Sequence, residues 1–217
     1  SNLQQRLALL KPFSQSLKDN TDLASLYLGY GNDDFFMVRP LRTDALKTLL
    51  KAPPTAAYQV WSIEHTANGT ASSQSLLFDE TLNPVAHQDN PDDRYDPRTR
   101  NWYSNALQQG DQITTEPYVF FSTQNVGTTL ARRSGENAVI GADLTLVALS
   151  AALSKHVVTP STDIALFDAE GNAVAYPDSQ RLIVDGSTTH LAKAADLSPG
   201  LHALLSGPNT GNRLEAE

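Results

Sequence analysis

The chain has 217 residues, of which 40% are hydrophobic and 18% charged, a balance typical of a globular protein and not of a disordered one. Its 24 acidic residues outnumber its 16 basic ones, and the net charge of −8 argues against a nucleic-acid-binding surface, which needs clustered Lys and Arg. The absence of cysteine excludes disulfides, thiolate metal ligands and a cysteine nucleophile.

The first 22 residues carry an apolar stripe at helical spacing. The sequence contains no run of about 18 apolar residues, the length that a transmembrane helix needs. Pro12 lies within the stripe, so we predict an amphipathic helix that is kinked or split there. The stripe consists of Leu3, Leu7, Leu10, Phe13 and Leu17.

The next residues alternate between strand and turn patterns. They predict strands at 24–30 and 35–38, a short helix capped by Thr43, and strands at 58–65 and 74–78 joined by an Asn-Gly turn at 67–70. Residues 83–94 are rich in Asp, Asn and Pro and lack periodicity, which predicts a long loop. Its aspartates lack the glycine and distal glutamate of an EF-hand, so we interpret it as a solvated acidic loop without a metal site.

Aromatic and charged side chains are most concentrated in the nine residues at 95–103, Tyr-Asp-Pro-Arg-Thr-Arg-Asn-Trp-Tyr. Pro97 disfavours helix at the preceding residue, and a helix is predicted from Asn101, with Trp102, Ala106 and Gln109 on one face and Gly110 at its end.

Two arginines, Arg98 and Arg100, lie next to the N-terminus of this helix, where the backbone already favours an anion. The rings of Tyr95, Trp102 and Tyr103 add hydrogen-bond donors and apolar walls. Taken singly, each of these residues fits a structural role, with the aromatic rings in the core and one arginine paired with Asp93 or Asp96. Taken together, they predict a ligand site.

Three further strands are predicted at 118–122, 128–131 and 138–143, which makes the fold α+β, with a PAS-like antiparallel sheet flanked by helices. A helix carrying Leu146, Leu149 and Leu153 follows, with Pro160 behind it. The remaining residues predict a hairpin at 162–176 and a short helical piece, too few strands for a full sheet.

Catalytic signatures are absent from the sequence. It contains no phosphate-binding glycine loop, no nucleophile elbow and no His-Glu-x-x-His motif, and its five histidines are dispersed. We therefore predict no catalytic residue, no metal and no cofactor. An acid–base pair formed in the fold, such as Asp96 with Asp143, keeps an enzyme open as an alternative.

The motif at 95–103 resembles that of the double Cache sensor domains, the extracytoplasmic ligand-binding regions of bacterial chemoreceptors, histidine kinases and nucleotide cyclases. Glu116-Pro117-Tyr118 and the stretch 139–146 reinforce the resemblance, which spans roughly residues 3–176. It implies a long N-terminal helix over 1–22 rising from the membrane, a membrane-distal PAS-like ligand-binding module over 23–159, and a smaller, incomplete membrane-proximal module over 160–217.

The resemblance also implies the setting of the chain and its partners. It places the domain in the periplasm as part of an inner-membrane protein that is anchored in its full length by transmembrane segments. It implies a small-molecule ligand and a homodimer through the N-terminal helix. The segment Pro117-Tyr118-Val119-Phe120-Phe121 resembles the corresponding segment of sensors attached to adenylate cyclases or histidine kinases.

The pattern is most similar to the subgroup that binds free amino acids. In that subgroup the arginine and tryptophan hold the α-carboxylate of the ligand, and the aspartate and later tyrosine hold its α-ammonium. Asn101 stands where proline is usual in the family. The alternatives are a sensor of another small carboxylate or amine and a ligand-free interaction module. The site residues carried over are Tyr95, Arg100, Trp102, Tyr103, Tyr118 and Asp143.

Overall fold

A computed structural model of the protein describes residues 2–65, 70–157, 159, 162–184 and 190–206. The predicted turn at 67–69 and the predicted helix stop at Pro160 lie outside the described residues. The helices are α1 Leu3–Arg6, α2 Leu10–Asp19, α3 Asp44–Leu49, α4 Asn101–Gln109, α5 Val147–Ser154 and α6 Pro199–Ser206.

Thirteen strands are found within the described ranges. They are β1 Leu23–Tyr30, β2 Phe35–Pro40, β3 Tyr58–His65, β4 Ala71–Phe78, β5 Pro84–Asp89, β6 Ile113–Thr114, β7 Tyr118–Val119, β8 Val126–Arg133, β9 Ala138–Thr145, β10 Leu166–Phe167, β11 Ala173–Ala175, β12 Ile183–Val184 and β13 His190–Leu191.

The chain forms two compact units. The first comprises Ser1–Glu116 with Thr129–Leu144, and the second comprises Pro117–Thr128 with Thr145–Glu217. Each unit is defined by the contacts that its residues make with one another. The predicted division at residues 22 and 159, into a helix and two modules named by their position relative to a membrane, stays a prediction.

The first unit is built on one large sheet with the strand order β5-β4-β3-β2-β1-β9-β8-β6. The ladders that join β1 to β2 and β9, and β3 to β2 and β4, are antiparallel. The α+β class with an antiparallel sheet and flanking helices is therefore confirmed.

The N-terminal helical segment packs on one face of this sheet. A 3₁₀ turn at Leu7–Leu9 separates α1 from α2 just ahead of Pro12, as expected for a residue without a backbone donor. Leu10, Phe13 and Leu17 are buried in one cluster with sheet residues. The predicted stripe thus packs on the sheet of its own unit.

One prediction about an irregular segment was wrong. Residues 83–94 contain strand β5, which pairs with β4 at the sheet edge. The hydrophobic pattern missed it because an edge strand gains its stability from backbone pairing, and none of its side chains is buried. In α4, Gln109 is exposed, whereas Trp102, Tyr103 and Ala106 are buried.

A buried ion pair ties the N-terminal helix to the turn between β1 and β2. Arg6 donates to the carboxylate of Asp34, to the carbonyl of Ile63 over 3.3 Å, and lies 4.6 Å from the centre of the Tyr30 ring. Burial raises the pKa of Asp34, but hydrogen bonds from Arg6 and from the backbone of His65 outweigh it, and the net pKa lies below the usual carboxyl value.

The second unit is small and has its own apolar core. Its described strands form short pairs: β7 with the start of β8, β10 with β11, and β12 with β13. Their core centres on buried residues such as Leu182, Leu197 and Leu201. Across the described parts of both units, every helix is too short or too polar to cross a bilayer.

We expect Asp34→Asn to lower the free energy of unfolding by about 3–5 kcal/mol at neutral pH, because it leaves the buried Arg6 charge uncompensated. The folded-state pKa of Asp34 is lowered, so the contribution of the pair is complete above a pH of about 4 and is lost as pH falls through the folded pKa. Urea unfolding of wild type and variant should therefore converge in acid. Asp111→Asn, at an exposed aspartate, is the control, and an equal loss in both variants would contradict this account.

Candidate functional site

The sheet face opposite α2 carries a row of buried polar side chains across four strands. Ser25 on β1 pairs with Asp143 on β9, and Arg39 on β2 pairs with Gln59 on β3. The register Leu26↔Val38 places Ser25 and Arg39 opposite each other, so the four residues follow one line across the sheet. All four are buried, so each of them needs hydrogen-bond or charge partners to offset its lost hydration.

Asp143 is held by three hydroxyl groups. Its Oδ1 accepts hydrogen bonds from Tyr27 over 2.6 Å and from Thr129 over 2.7 Å, and its Oδ2 accepts one from Ser25 over 2.8 Å. Burial raises the pKa of Asp143, and the three hydroxyls and the charge of Arg39 oppose that rise without cancelling it. The three hydrogen bonds thus fix the orientation of the carboxylate, and the charge of Arg39 acts on it from the far side of β1.

Arg39 is a charged residue inside the sheet that sequence reasoning missed. Burial lowers its pKa to about 10, while Asp143 and Tyr95 favour its charged form, so it remains a cation at neutral pH. Gln59, its partner across the ladder, was also missed. The available signal was a polar residue inside an apolar strand: Arg39 follows the run from Phe35 to Val38, and Gln59 precedes Val60.

Aromatic rings form a continuous cluster beside this polar row. Tyr95 packs against Phe35 with ring centres 4.8 Å apart, Phe35 against Tyr27 at 5.6 Å, and Tyr27 against Trp102 edge-on at 4.9 Å. Trp102 in turn contacts Tyr103 at 5.6 Å. Four predicted site residues, Tyr95, Trp102, Tyr103 and Asp143, therefore belong to one connected face of the first unit.

The two arginines of the motif have different surroundings. Arg98 donates to Asp96 from its Nε over 3.1 Å and from Nη2 over 3.0 Å, and it also pairs with Asp33. The structural role that the sequence left open for one arginine thus belongs to Arg98. Arg100 is half-buried, precedes α4 as its N-cap residue, and lies 5.6 Å from the centre of the Tyr95 ring.

Tyr118 is the one predicted site residue that belongs to the second unit. It lies on β7 opposite Gly127 of β8, half-buried, with its ring 5.2 Å from that of Phe120. Its predicted role at the ammonium end of a ligand stays a prediction.

Two glycines permit the close packing of the aromatic cluster. A Cβ on Gly141 would lie 2.2 Å from a carbon of the Tyr27 ring. A Cβ on Gly29 would lie 2.7 Å from the Trp102 ring and 2.9 Å from Pro97. Both positions therefore require glycine, because a side chain at either one would collide with the rings that pack directly on the sheet.

No family model matches the chain. It is 29% identical over 179 residues, 82% of its length, to adenylate cyclase 1 of Rhizobium meliloti. It is 27% identical over 117 residues to the methyl-accepting chemotaxis protein PscA of Pseudomonas syringae, and 34% identical over 91 residues to McpC of Bacillus subtilis.

The chain is similar to parts of an adenylate cyclase and of two methyl-accepting chemotaxis proteins. It spans only 26%, 19% and 14% of the lengths of these three relatives, so the similarity concerns one region of each. The similarity is consistent with the Cache sensor domain that the motif predicted.

Solved structures with a partial likeness include ligand-binding domains of two chemoreceptors. One is Tlp3 of Campylobacter jejuni in complex with L-valine, with 17% identity, a TM-score of 0.46, and coverage of 86% of this chain and 58% of that one. The other is PctC of Pseudomonas aeruginosa in complex with GABA, with 20% identity, a TM-score of 0.44, and coverage of 94% and 66%.

We expect Gly141→Ala to destabilise the protein by roughly 1–3 kcal/mol, since the new methyl group overlaps the Tyr27 ring and displaces its hydroxyl from Asp143. Chemical denaturation measures this loss. In a Tyr27→Leu background the same substitution should cost much less, because the ring is gone. Equal costs in both backgrounds would contradict the proposed contact.

Proposed function

We propose that the chain is the extracytoplasmic ligand-binding sensor domain of a bacterial transmembrane signalling protein, and that its ligand is a free α-amino acid. The observation that carries the proposal is the pairing of a buried, oriented carboxylate with an arginine-bearing helix start on one aromatic-lined sheet face. A zwitterion that leaves water needs both of its charges met, and this face offers a group for each.

The carboxylate end of the ligand is assigned to Arg100 and Trp102. Arg100 precedes the nine-residue helix α4, whose N-terminus adds the positive end of its dipole. Arg98 is engaged with Asp96 and Asp33, which supports Arg100 as the arginine that receives the ligand. Tyr95, which stacks against both Phe35 and Trp61, supplies an aromatic wall.

The ammonium end is assigned to Asp143. The three hydroxyl donors hold the carboxylate in place before the ligand arrives, so little ordering remains for binding to supply. The role of Tyr118 rests on the resemblance of its motif to the amino-acid-binding subgroup.

The setting of the domain belongs to the same proposal. Two relatives are chemotaxis proteins and one is an adenylate cyclase, which supports a binding module joined to a cytoplasmic output. Membrane anchoring, periplasmic placement and a cyclase or kinase output are inferred from this similarity. Because the apolar stripe of the N-terminal helix faces its own sheet, a homodimer through this helix would use its other faces.

The enzyme alternative receives less support. Asp96, its proposed acid, caps the 3₁₀ turn Pro97–Thr99 and receives three hydrogen bonds from Arg98. A carboxylate committed in this way is not well prepared to exchange protons with a substrate.

We expect α-amino acids to raise the melting temperature of the purified chain, with a stabilisation of about 2.7 kcal/mol when the ligand is present at a hundred times its dissociation constant. Arg100→Ala should abolish the shift. Arg94→Ala, at an exposed arginine of the same segment, should retain it. Retained binding by Arg100→Ala would refute the assigned role of this arginine.

We expect the affinity for an α-amino acid to fall as the pH is lowered, because the ammonium requires an ionised Asp143. Since burial raises the pKa of Asp143, the fall should begin at a higher pH than the usual carboxyl value of about 3.9 implies. Isothermal titration from pH 8 to pH 5 measures it. The Asp143→Asn variant should bind more weakly and show a flat profile, and an unchanged pH profile in that variant would exclude the residue.

A further inference from the structure

The polar row continues beyond Asp143 to a buried group with an unmet hydrogen-bonding capacity. Gln59 is only 6% exposed, and among the residues that the structure describes none donates a hydrogen bond to its Oε1. Its Nε2 donates to Ser75 on the neighbouring strand over 2.9 Å, which holds the amide in position. A buried acceptor without a donor destabilises a fold, so its presence on a binding face points to a donor supplied from outside.

Arg39 lies between Gln59 and Asp143 in this row. Its charge attracts an electronegative atom and repels a second ammonium or guanidinium group. The free acceptor of Gln59, in turn, disfavours a carboxylate, which carries no hydrogen to donate at neutral pH. A ligand group that suits both Arg39 and Gln59 is therefore neutral, with a hydrogen-bond acceptor for Arg39 and an adjacent donor for Gln59.

We propose that Arg39 and Gln59 form the end of the site that receives the side chain of the ligand, and that the preferred ligands are α-amino acids with a carboxamide side chain. With the ammonium at Asp143, the side chain extends along the row, its carbonyl oxygen towards Arg39 and its amide N–H towards the Oε1 of Gln59. This inference rests on the proposed function and adds the determinant of specificity.

The geometry of the sheet supports this direction of binding. Adjacent strands lie about 4.8 Å apart, so β9 and β3, three spacings apart in the sheet, are separated by about 14 Å, and the row is long enough for the ligand to lie along it. Trp61, next to Gln59 on the same face, packs against Tyr95 at 5.0 Å and closes the row on its aromatic side.

The test compares ligands of matched shape by isothermal titration of the chain. L-Asparagine and L-leucine, and L-glutamine and L-methionine, differ little in size but greatly in hydrogen bonding. We expect each carboxamide to bind about ten to a hundred times more tightly than its apolar counterpart, the effect of one unmet buried acceptor. L-Glutamate and L-lysine should bind more weakly than L-glutamine.

The variant Gln59→Met keeps the length of the side chain and removes its acceptor. It should lose the preference for carboxamides while remaining at least as stable as wild type without ligand, since no buried acceptor is left unmet. The control is Gln74→Met, on the neighbouring strand β4 and the opposite face, where the glutamine bonds to His87 over 3.1 Å. It should leave the preference unchanged.

The outcomes separate this inference from the function on which it rests. Binding of α-amino acids with an equal or greater affinity for leucine, methionine, glutamate or lysine overturns the inference alone. A preference that survives in Gln59→Met does the same. A chain that binds no α-amino acid overturns both.

Discussion

The burial of one carboxylate in the middle of a sheet face is the constraint on which the first unit depends. Asp143 loses its hydration there, and Tyr27, Thr129 and Ser25 replace it from neighbouring strands. Arg39 adds a compensating charge that is itself buried. Each group is held in place by the others, so the sheet carries an ordered polar surface before any ligand binds. Such preorganisation lowers the entropic cost of recognition.

The turn between β1 and β2 connects two parts of the unit that are distant in sequence. Asp34 pairs with Arg6 of the N-terminal helix, and its neighbour Asp33 pairs with Arg98 of the motif segment. Two adjacent carboxylates in this turn therefore hold both the N-terminal helix and the motif segment at the same end of β1 and β2.

The two faces of the sheet differ in the side chains they carry. The side facing α2 is mainly apolar and packs against the buried leucines and phenylalanine of the N-terminal segment. The opposite side combines polar side chains with the aromatic cluster that includes Trp61 and Trp102, and Gly29 and Gly141 let that cluster approach the backbone. Alternation of side chains along each strand makes this division possible, because neighbouring residues point to opposite faces.

The sequence by itself determined the α+β class, most strands of the large sheet, the helix from Asn101 to its stop at Gly110, and the resemblance to sensor domains. These features are local, set by periodicity, capping and a contiguous motif. Only the tertiary structure decided that Arg98 is structural and that Arg39 and Gln59 join Asp143. Those residues meet through pairing of strands far apart in the chain, and cross-strand register is not written in any local pattern.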